Sequence, residues 1–336
     1  MNKSGKIVLI VAAICIVIGG ALAAIGFAFG GTRAFVVNYG NHEVPTDREI
    51  VSGSIDIDAF DELIVDTMSI DVIVEEGTEY RIEYSVFEEY VPIVEQSGKK
   101  LSIQQPKVNS NAGMISFSFN NYTPFYKIIV PKMDDAVECE IKLTSGGFTN
   151  NVFDMSGDLT LTSGKVILSD IEFEGKMKVT SGSISLENIS GNELLVEKTS
   201  GGMNMKNCKY DEIKIDTSSG NSMLENCEAN DFSLDSTSGE LSIKDGKYGD
   251  MRVEMSSGDI TLEGCTVNNY VYDLTSGSQE LNIKGNESDY DFSLSSTSGE
   301  ISVGGKDVGN KYSDVSGKDK KISGESSSGD LRIIFE

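Results

Sequence analysis

Two patterns of apolar and polar positions divide the chain. Ile7 through Gly31 reads IVLIVAAICIVIGGALAAIGFAFGG, 25 residues without a charge. At about 1.5 Å rise per residue such a run is long enough to cross a bilayer as a helix. From about residue 137 onward the apolar residues come instead in short alternating bursts. Two and four positions after a recurrent glycine stand Val166/Leu168, Ile184/Leu186, Met203/Met205, Leu241/Ile243, Ile260/Leu262, Ile301/Val303 and Leu331/Ile333. Seven and five positions before it stand Ile213/Ile215, Phe232/Leu234, Met251/Val253, Tyr270/Tyr272 and Phe292/Leu294. Period-two alternation over five residues predicts a strand with one buried face.

The glycine that sets this register recurs as Gly146, Gly164, Gly182, Gly201, Gly220, Gly239, Gly258, Gly277, Gly299 and Gly329, at spacings of 18, 18, 19, 19, 19, 19, 19, 22 and 30. In all ten cases Ser precedes the glycine, and Ser or Thr precedes that Ser. A fixed period near 20 residues predicts a solenoid. Each repeat is read as strand, turn, strand, corner, and two such short strands bury their inner faces only by stacking coil on coil. The corner glycine is expected to take φ > 0, and the hydroxyls before it to bond backbone freed by the bend and to stack in ladders. The fold class expected is all-β: a flattened parallel β-solenoid of about 19-residue coils with flanking antiparallel strands, preceded by one N-terminal transmembrane helix.

The same register is visible upstream. Gly53 is followed by Ile55, Ile57 and Phe60, and Leu63, Val65, Thr67, Ser69, Val72 and Val74 fit a coil with Ile70 in the glycine slot. Between 75 and 136 longer alternating strands (Tyr80 to Val86, Leu101/Ile103, Ile115 to Phe119, Phe125 to Val130) suggest an antiparallel cap, because solenoid ends expose unpaired edges. Asp307 to Ser323 is expected to be a loop or irregular coil before a closing strand, Leu331 to Phe335. The organisation expected is a tail (1–6), a membrane helix (7–30), a linker (31–50), an N-terminal β region (51–136) and the solenoid (137–336).

Charge adds an orientation and removes whole classes of function. Lys3 and Lys6 precede the apolar run, so the positive-inside rule places the N-terminus in the cytoplasm and everything beyond about residue 31 outside. An uncleaved anchor suits the length of the run better than a signal peptide ending at Ala21-Leu22-Ala23. The exported part carries 26 basic residues against all 53 acidic ones, which argues against nucleic acid as a partner. One histidine, His42, rules out His-centred metal sites and Ser-His-Asp chemistry.

Three features together resemble a known bacterial family: the corner followed by Gly-x-Ile-x-Val/Leu, the strand Tyr126-Lys-Ile-Ile-Val-Pro131, and the closing Ser-Ser-Gly-Asp-Leu-Arg-Ile-Ile-Phe335. The family is the toast-rack β-strand-repeat domain of unknown function, whose members carry the label "putative adhesin". The resemblance covers about residues 50–336, and the short N-terminal anchor fits it. It implies the solenoid fold, and through relatives encoded beside envelope-stress or transcription regulators it implies an accessory signalling role.

Candidate sites are few. Cys208, Cys227 and Cys265 each sit seven residues after a corner glycine, in an inward slot, and Cys139 sits seven before Gly146. Cys208 and Cys227 fall on adjacent coils about 4.8 Å apart, within disulfide range, which makes them the one candidate bond in an oxidising compartment. Asp158, Asp259, Asp330, Glu240 and Glu300 follow glycines and are read as a solvated acidic edge rather than a calcium site. No catalytic, metal or cofactor residue stands out. The expectation is a non-enzymatic, single-pass cell-membrane protein of a Gram-positive bacterium whose extracytoplasmic solenoid meets an unidentified surface protein or glycan. The alternatives are an accessory of an envelope-stress system with a membrane-protein partner, and a carbohydrate-active enzyme.

Overall fold

The computed structural model describes residues 49–107 and 122–336, together with the backbone strands Ala34–Asn38 and Met114–Ser118. The expected tail and membrane helix lie outside the described residues. The chain divides into two units. The smaller holds Ala34–Asn38 paired antiparallel with Met114–Ser118, Phe35 opposite Phe117, so part of the stretch read as a linker is strand. The larger, residues 50–106 and 124–336, is the solenoid.

Its middle is built as the repeat requires. Val137–Asn150, Met155–Ser169 and Phe173–Glu187 stack parallel and in register, Gly146 on Gly164 on Gly182. The next coils split into a long arm before the corner and a short arm after it: Ser190–Ser200 with Met203–Lys206, Lys209–Thr217 with Ser222–Glu225, Glu228–Ser238 with Leu241–Lys244. Inward columns such as Leu194, Ile213, Phe232, Met251 and Tyr270 form a continuous buried core.

The coil is not flattened into two sides. In Lys209–Thr217 the alternation skips a beat: Asp211 and Glu212 both face out between inward Tyr210 and Ile213, so the chain bends there. This further corner also explains the change of period from 18 to 19. In the 18-residue coils the bend is made at Gly157 and Gly175 (φ +114° and +145°). Glu172 pairs with Ser190 and Gly175 with Leu194, three steps against four, so the added residue enters at this bend.

The two ends depart from simple repetition. Residues 62–76 are a true coil, stacked on Val137–Asn150, and Ile70 occupies the glycine slot. Lys100–Gln104 and Phe125–Val130, expected to be antiparallel, stack parallel on that coil and make one more. Ile50–Asp56 is not a coil arm. It runs antiparallel to Arg81–Phe87, and Gly53 leaves room for the ring of Tyr84. Arg81–Phe87 and Ile93–Ser97 pair antiparallel with the outermost coil and cap it, as solenoid ends need.

At the other end, sequence order and stacking order part. Lys320–Ser328 and Leu331–Phe335 lie between the coil ending at Ile283 and the coil Tyr290–Val303, so the chain's last coil is inserted next to last in the stack. The stretch expected to be a loop supplies Lys306–Gly309 and Lys311–Asp314, which run back antiparallel along the free edge. Asp291 holds the return: its carboxylate accepts the N–H groups of Ser316 (2.9 Å), Gly317 (3.0 Å) and Lys318 (3.2 Å), bonds that keep it below the usual carboxylate range.

Nine of the ten corner glycines have positive φ, from +96° at Gly220 to +159° at Gly299. A second constraint is stronger. A Cβ on each corner glycine from Gly164 to Gly277 would run into the carbonyl oxygen of the preceding coil's own corner glycine. Gly220→Ala is therefore expected to lower stability by at least about 2 kcal/mol, from backbone strain and the clash together. Gly202→Ala, one residue past a corner and facing open space, is expected to stay within about 1 kcal/mol of wild type. Urea unfolding of both variants checks this, and equal losses would count against the stacking argument.

Candidate functional site

The regions that stack most regularly are the corners, and each is tied by a side-chain ladder. At the first corner the expected hydroxyl ladder is present: Ser200, Ser219 and Ser238 donate to the carbonyls of Thr180 (3.2 Å), Thr199 (3.2 Å) and Ser218 (3.4 Å) of the preceding coil. The acidic residues after the corner also join coils. Asp259 accepts the Ser278 N–H, Asp330 accepts the Glu300 N–H, and Glu240 accepts from Asn221.

A second corner went unread in the sequence. Asp170, Asn188, Asn207, Asn226 and Asp245 all sit in the left-handed region, φ +51° to +59°, and Gly264 continues the column at +63°. Asn tolerates this conformation because its short amide can bond locally. Here the amides bond along the stack: Asn188 to Asp170 (2.7 Å), Asn207 to Asn188 (2.9 Å) and Asn226 to Asn207 (2.8 Å). The signal was available, since each of these residues lies six positions after a corner glycine. At the bend in the long arm, Asn192, Asn230 and Asn269 similarly bond Glu174, Asp211 and Asp250.

The cysteines lie where the repeat places them. All four among the described residues are buried and free. Backbone bonds from Lys209 to Ile189, Glu228 to Cys208, Lys247 to Cys227 and Thr266 to Gly246 put Ile189, Cys208, Cys227, Gly246 and Cys265 in one column. The Cys208 and Cys227 thiols sit on adjacent coils and donate to the carbonyls of Lys206 (3.4 Å) and Glu225 (3.4 Å). The neighbouring Cys208 thiol pushes Cys227 above the ordinary thiol range, and burial adds to it. Cys139 stands apart, between Leu63 and Gly157, and burial raises it.

The outward face of the long arm carries two lanes of carboxylates. Four positions before the corner, Glu197, Asp216, Asp235, Glu254, Asp273 and Glu325 lie in register on six consecutive coils. Eight positions before it, Glu193, Glu212, Asp231 and Asp250 form the second lane, which ends at Asn269 and Lys321. The column between holds Lys214 and Arg252 among Leu195, Ser233 and Val271. Cations are therefore too few to neutralise the lanes, although Lys176 caps Glu197 at one end (2.5 Å) and Arg252 bonds Glu254 (2.6 Å). A shallow cleft of about 550 Å³ lies along the second lane, lined by Glu212, Asp231, Asp250, Phe232, Met251 and Lys321 among others. The large apolar side chains exposed among the described residues are Ile50, Met68, Ile93, Met223 and Val315, none aromatic.

One buried cation lies outside all these ladders. Lys198, 3 % exposed, points inward three residues before its corner, in the column of Val179, Thr217 and Ser236. Thr217 and Ser236 cap the corner carbonyls of Ser219 and Ser238, and Lys198 does the same for Gly201 (3.1 Å) and Asn221 (3.3 Å). Burial lowers its pKa from 10.5 to about 8. The unfolded chain therefore binds more protons than the folded one between pH 8 and 10.5, and stability rises with pH across that window and is flat below it. Lys198→Met is expected to remove this rise and to add up to about 3 kcal/mol at neutral pH, less whatever the uncapped carbonyls cost. Urea unfolding of both proteins at pH 7.5 and 9.5 measures the difference, and identical slopes would mean that the amine stays charged in the fold.

Several solved structures are similar to the chain. They include a "putative adhesin" from Bacteroides fragilis, at 10% identity over 85% of this chain and 98% of that one, TM-score 0.34. A "putative cell adhesion protein" from Clostridium sporogenes matches at 13% identity over 86% and 100%, TM-score 0.23. A "putative lipid binding protein" from Parabacteroides distasonis matches at 15% identity over 84% and 96%, TM-score 0.38. The chain has no significant match among curated proteins. The family profile described as Toastrack DUF4097 matches residues 60–334, nearly the whole solenoid, and the chain belongs to that family.

Proposed function

We propose that this is a non-enzymatic, membrane-anchored protein whose solenoid stands outside the cytoplasmic membrane and presents the long-arm face to a protein or glycan bearing cationic groups. The observation that carries this reading is the pair of carboxylate lanes. Like charges directly opposite on neighbouring strands are destabilising. Ten of them kept in register on six coils concede stability that Asn or Thr at the same positions would return. A repeated face of one sign also raises the local concentration of an oppositely charged partner and speeds its capture. The anchor follows from the apolar run at 7–31 and the lysines before it, and that orientation puts the acidic solenoid outside.

The test uses the full chain in detergent against a panel of whole cells, cationic proteins and amino-sugar glycans, with a variant carrying Asp216→Asn, Asp235→Asn and Glu254→Gln. The wild type is expected to bind a member of the panel, to weaken as salt rises from 50 to 300 mM, and to lose at least tenfold in affinity in the variant. The variant is expected to be as stable as the wild type or more so, which removes unfolding as a cause. Binding indifferent to both salt and the substitutions would overturn the assignment of this face.

A further inference from the structure

We propose that Cys208 and Cys227 are a redox modification site: they close a single disulfide between adjacent coils and lock the middle of the stack in register. The pair is selected by topology. Both residues follow the Asn ladder directly, Cys208 after Asn207 and Cys227 after Asn226, and they lie in the same inward column on neighbouring coils. Adjacent parallel strands are about 4.8 Å apart, inside the roughly 4.4–6.8 Å between α-carbons that a disulfide accepts. Both side chains are buried on the same inward face, one on the coil directly after the other. No other pair qualifies among the described cysteines. Gly246 separates Cys227 from Cys265, a gap of two coils or about 9.6 Å. Cys139 stands in another column, several coils away.

The chemistry needs an oxidant of the disulfide class, either a small-molecule disulfide or a dithiol–disulfide oxidoreductase. The Cys208 thiol loses its proton to solvent, and the thiolate attacks the oxidant's S–S bond. A mixed disulfide forms and one oxidant thiolate leaves. That thiolate takes the Cys227 proton, and the Cys227 sulfur then displaces the second oxidant thiol from Cys208. Two protein thiols are oxidised by two electrons to one S–S bond, and one oxidant disulfide is reduced to two thiols. Both sulfurs are buried in the closed stack, so the exchange belongs to the stage at which these coils are still assembling.

The lock answers a weakness of the repeat. Corner hydroxyls, corner glycines and Asn amides recur every 19 residues here, so a coil paired one repeat out of place would keep most of its backbone and ladder bonds. A covalent bond at one position selects a single register. Formation of the bond depends only on the fold, whereas its persistence in the cell rests on the extracytoplasmic placement proposed above.

The full chain is refolded from guanidinium into detergent with a glutathione redox buffer, unfolded again, labelled with a maleimide and weighed. Of its five cysteines, three are expected to take label, and peptides containing Cys208 and Cys227 are expected to stay joined until reduced. Cys208→Ser is expected to label at all four remaining cysteines. In wild type, reductant is expected to lower the thermal midpoint, and in Cys208→Ser to leave it unchanged. Five labels on the refolded wild type, or a bond to any other cysteine, would overturn the proposal. Protein alkylated at the moment of cell lysis separates the two readings. A bond formed in vitro but absent from cells would leave the pairing standing and reject the extracytoplasmic placement.

Discussion

Everything in this molecule depends on the close stacking of backbone at the glycine corners. Each coil passes the same point at strand spacing, with no side chain between its corner and the carbonyl of the coil before. From Gly164 to Gly277 that contact leaves no room for a Cβ at the corner, and all but one of those glycines also hold a conformation that other residues rarely adopt. Once it is made, the rest of the coil is obliged to follow in register. The strands on either side are parallel, their inward residues fall in columns, and polar residues at the bends meet copies of themselves. The hydroxyl and amide ladders are consequences of that register, and they satisfy backbone and side-chain groups that a bend would otherwise leave bare.

The same register amplifies whatever the sequence repeats. An amide repeated at a left-handed bend becomes a hydrogen-bonded rail. A carboxylate repeated on the outward face becomes a lane of like charges whose repulsion the fold cannot relax, because the spacing is set by backbone hydrogen bonds. Lys198 shows what happens when one member of a column differs. It replaces a small hydroxyl with a long amine, keeps the job of capping corner carbonyls, and leaves a buried cation with no carboxylate beside it. The polar choices here are thus of two kinds: those that close the coil, and those on the long-arm face that cost stability and meet solvent.

Both ends of the stack solve the same difficulty, an unpaired edge. The N-terminal end covers it with antiparallel strands from residues 50–56, 81–87 and 93–97. The C-terminal end turns back on itself, with Lys311–Asp314 laid along Phe292–Ser295 and the last coil slipped inside the one before it in sequence. The carboxylate of Asp291 anchors the return segment by gathering three successive N–H groups.

The sequence by itself determined the repeat. Ten Ser-Gly corners, the alternation around them and the slot occupied by Ile70 place the coils, the buried columns and the cysteines, because period and alternation are local properties that any coil displays alone. The Asn rail was equally local and could have been read six residues after each glycine. What only the tertiary structure decided is which neighbour each strand takes. Alternation marks the buried face of Ile50–Asp56, Leu101/Ile103 and Phe125–Val130 but is the same for parallel and antiparallel partners, so the cap and the additional coil could not be told apart. The inserted final coil is likewise invisible, since interchangeable repeats carry no label of stacking order. The carboxylate lanes and the inward turn of Lys198 appear only when coils are laid edge to edge, because a column is a relation between residues 19 apart and not a property of any one stretch of chain.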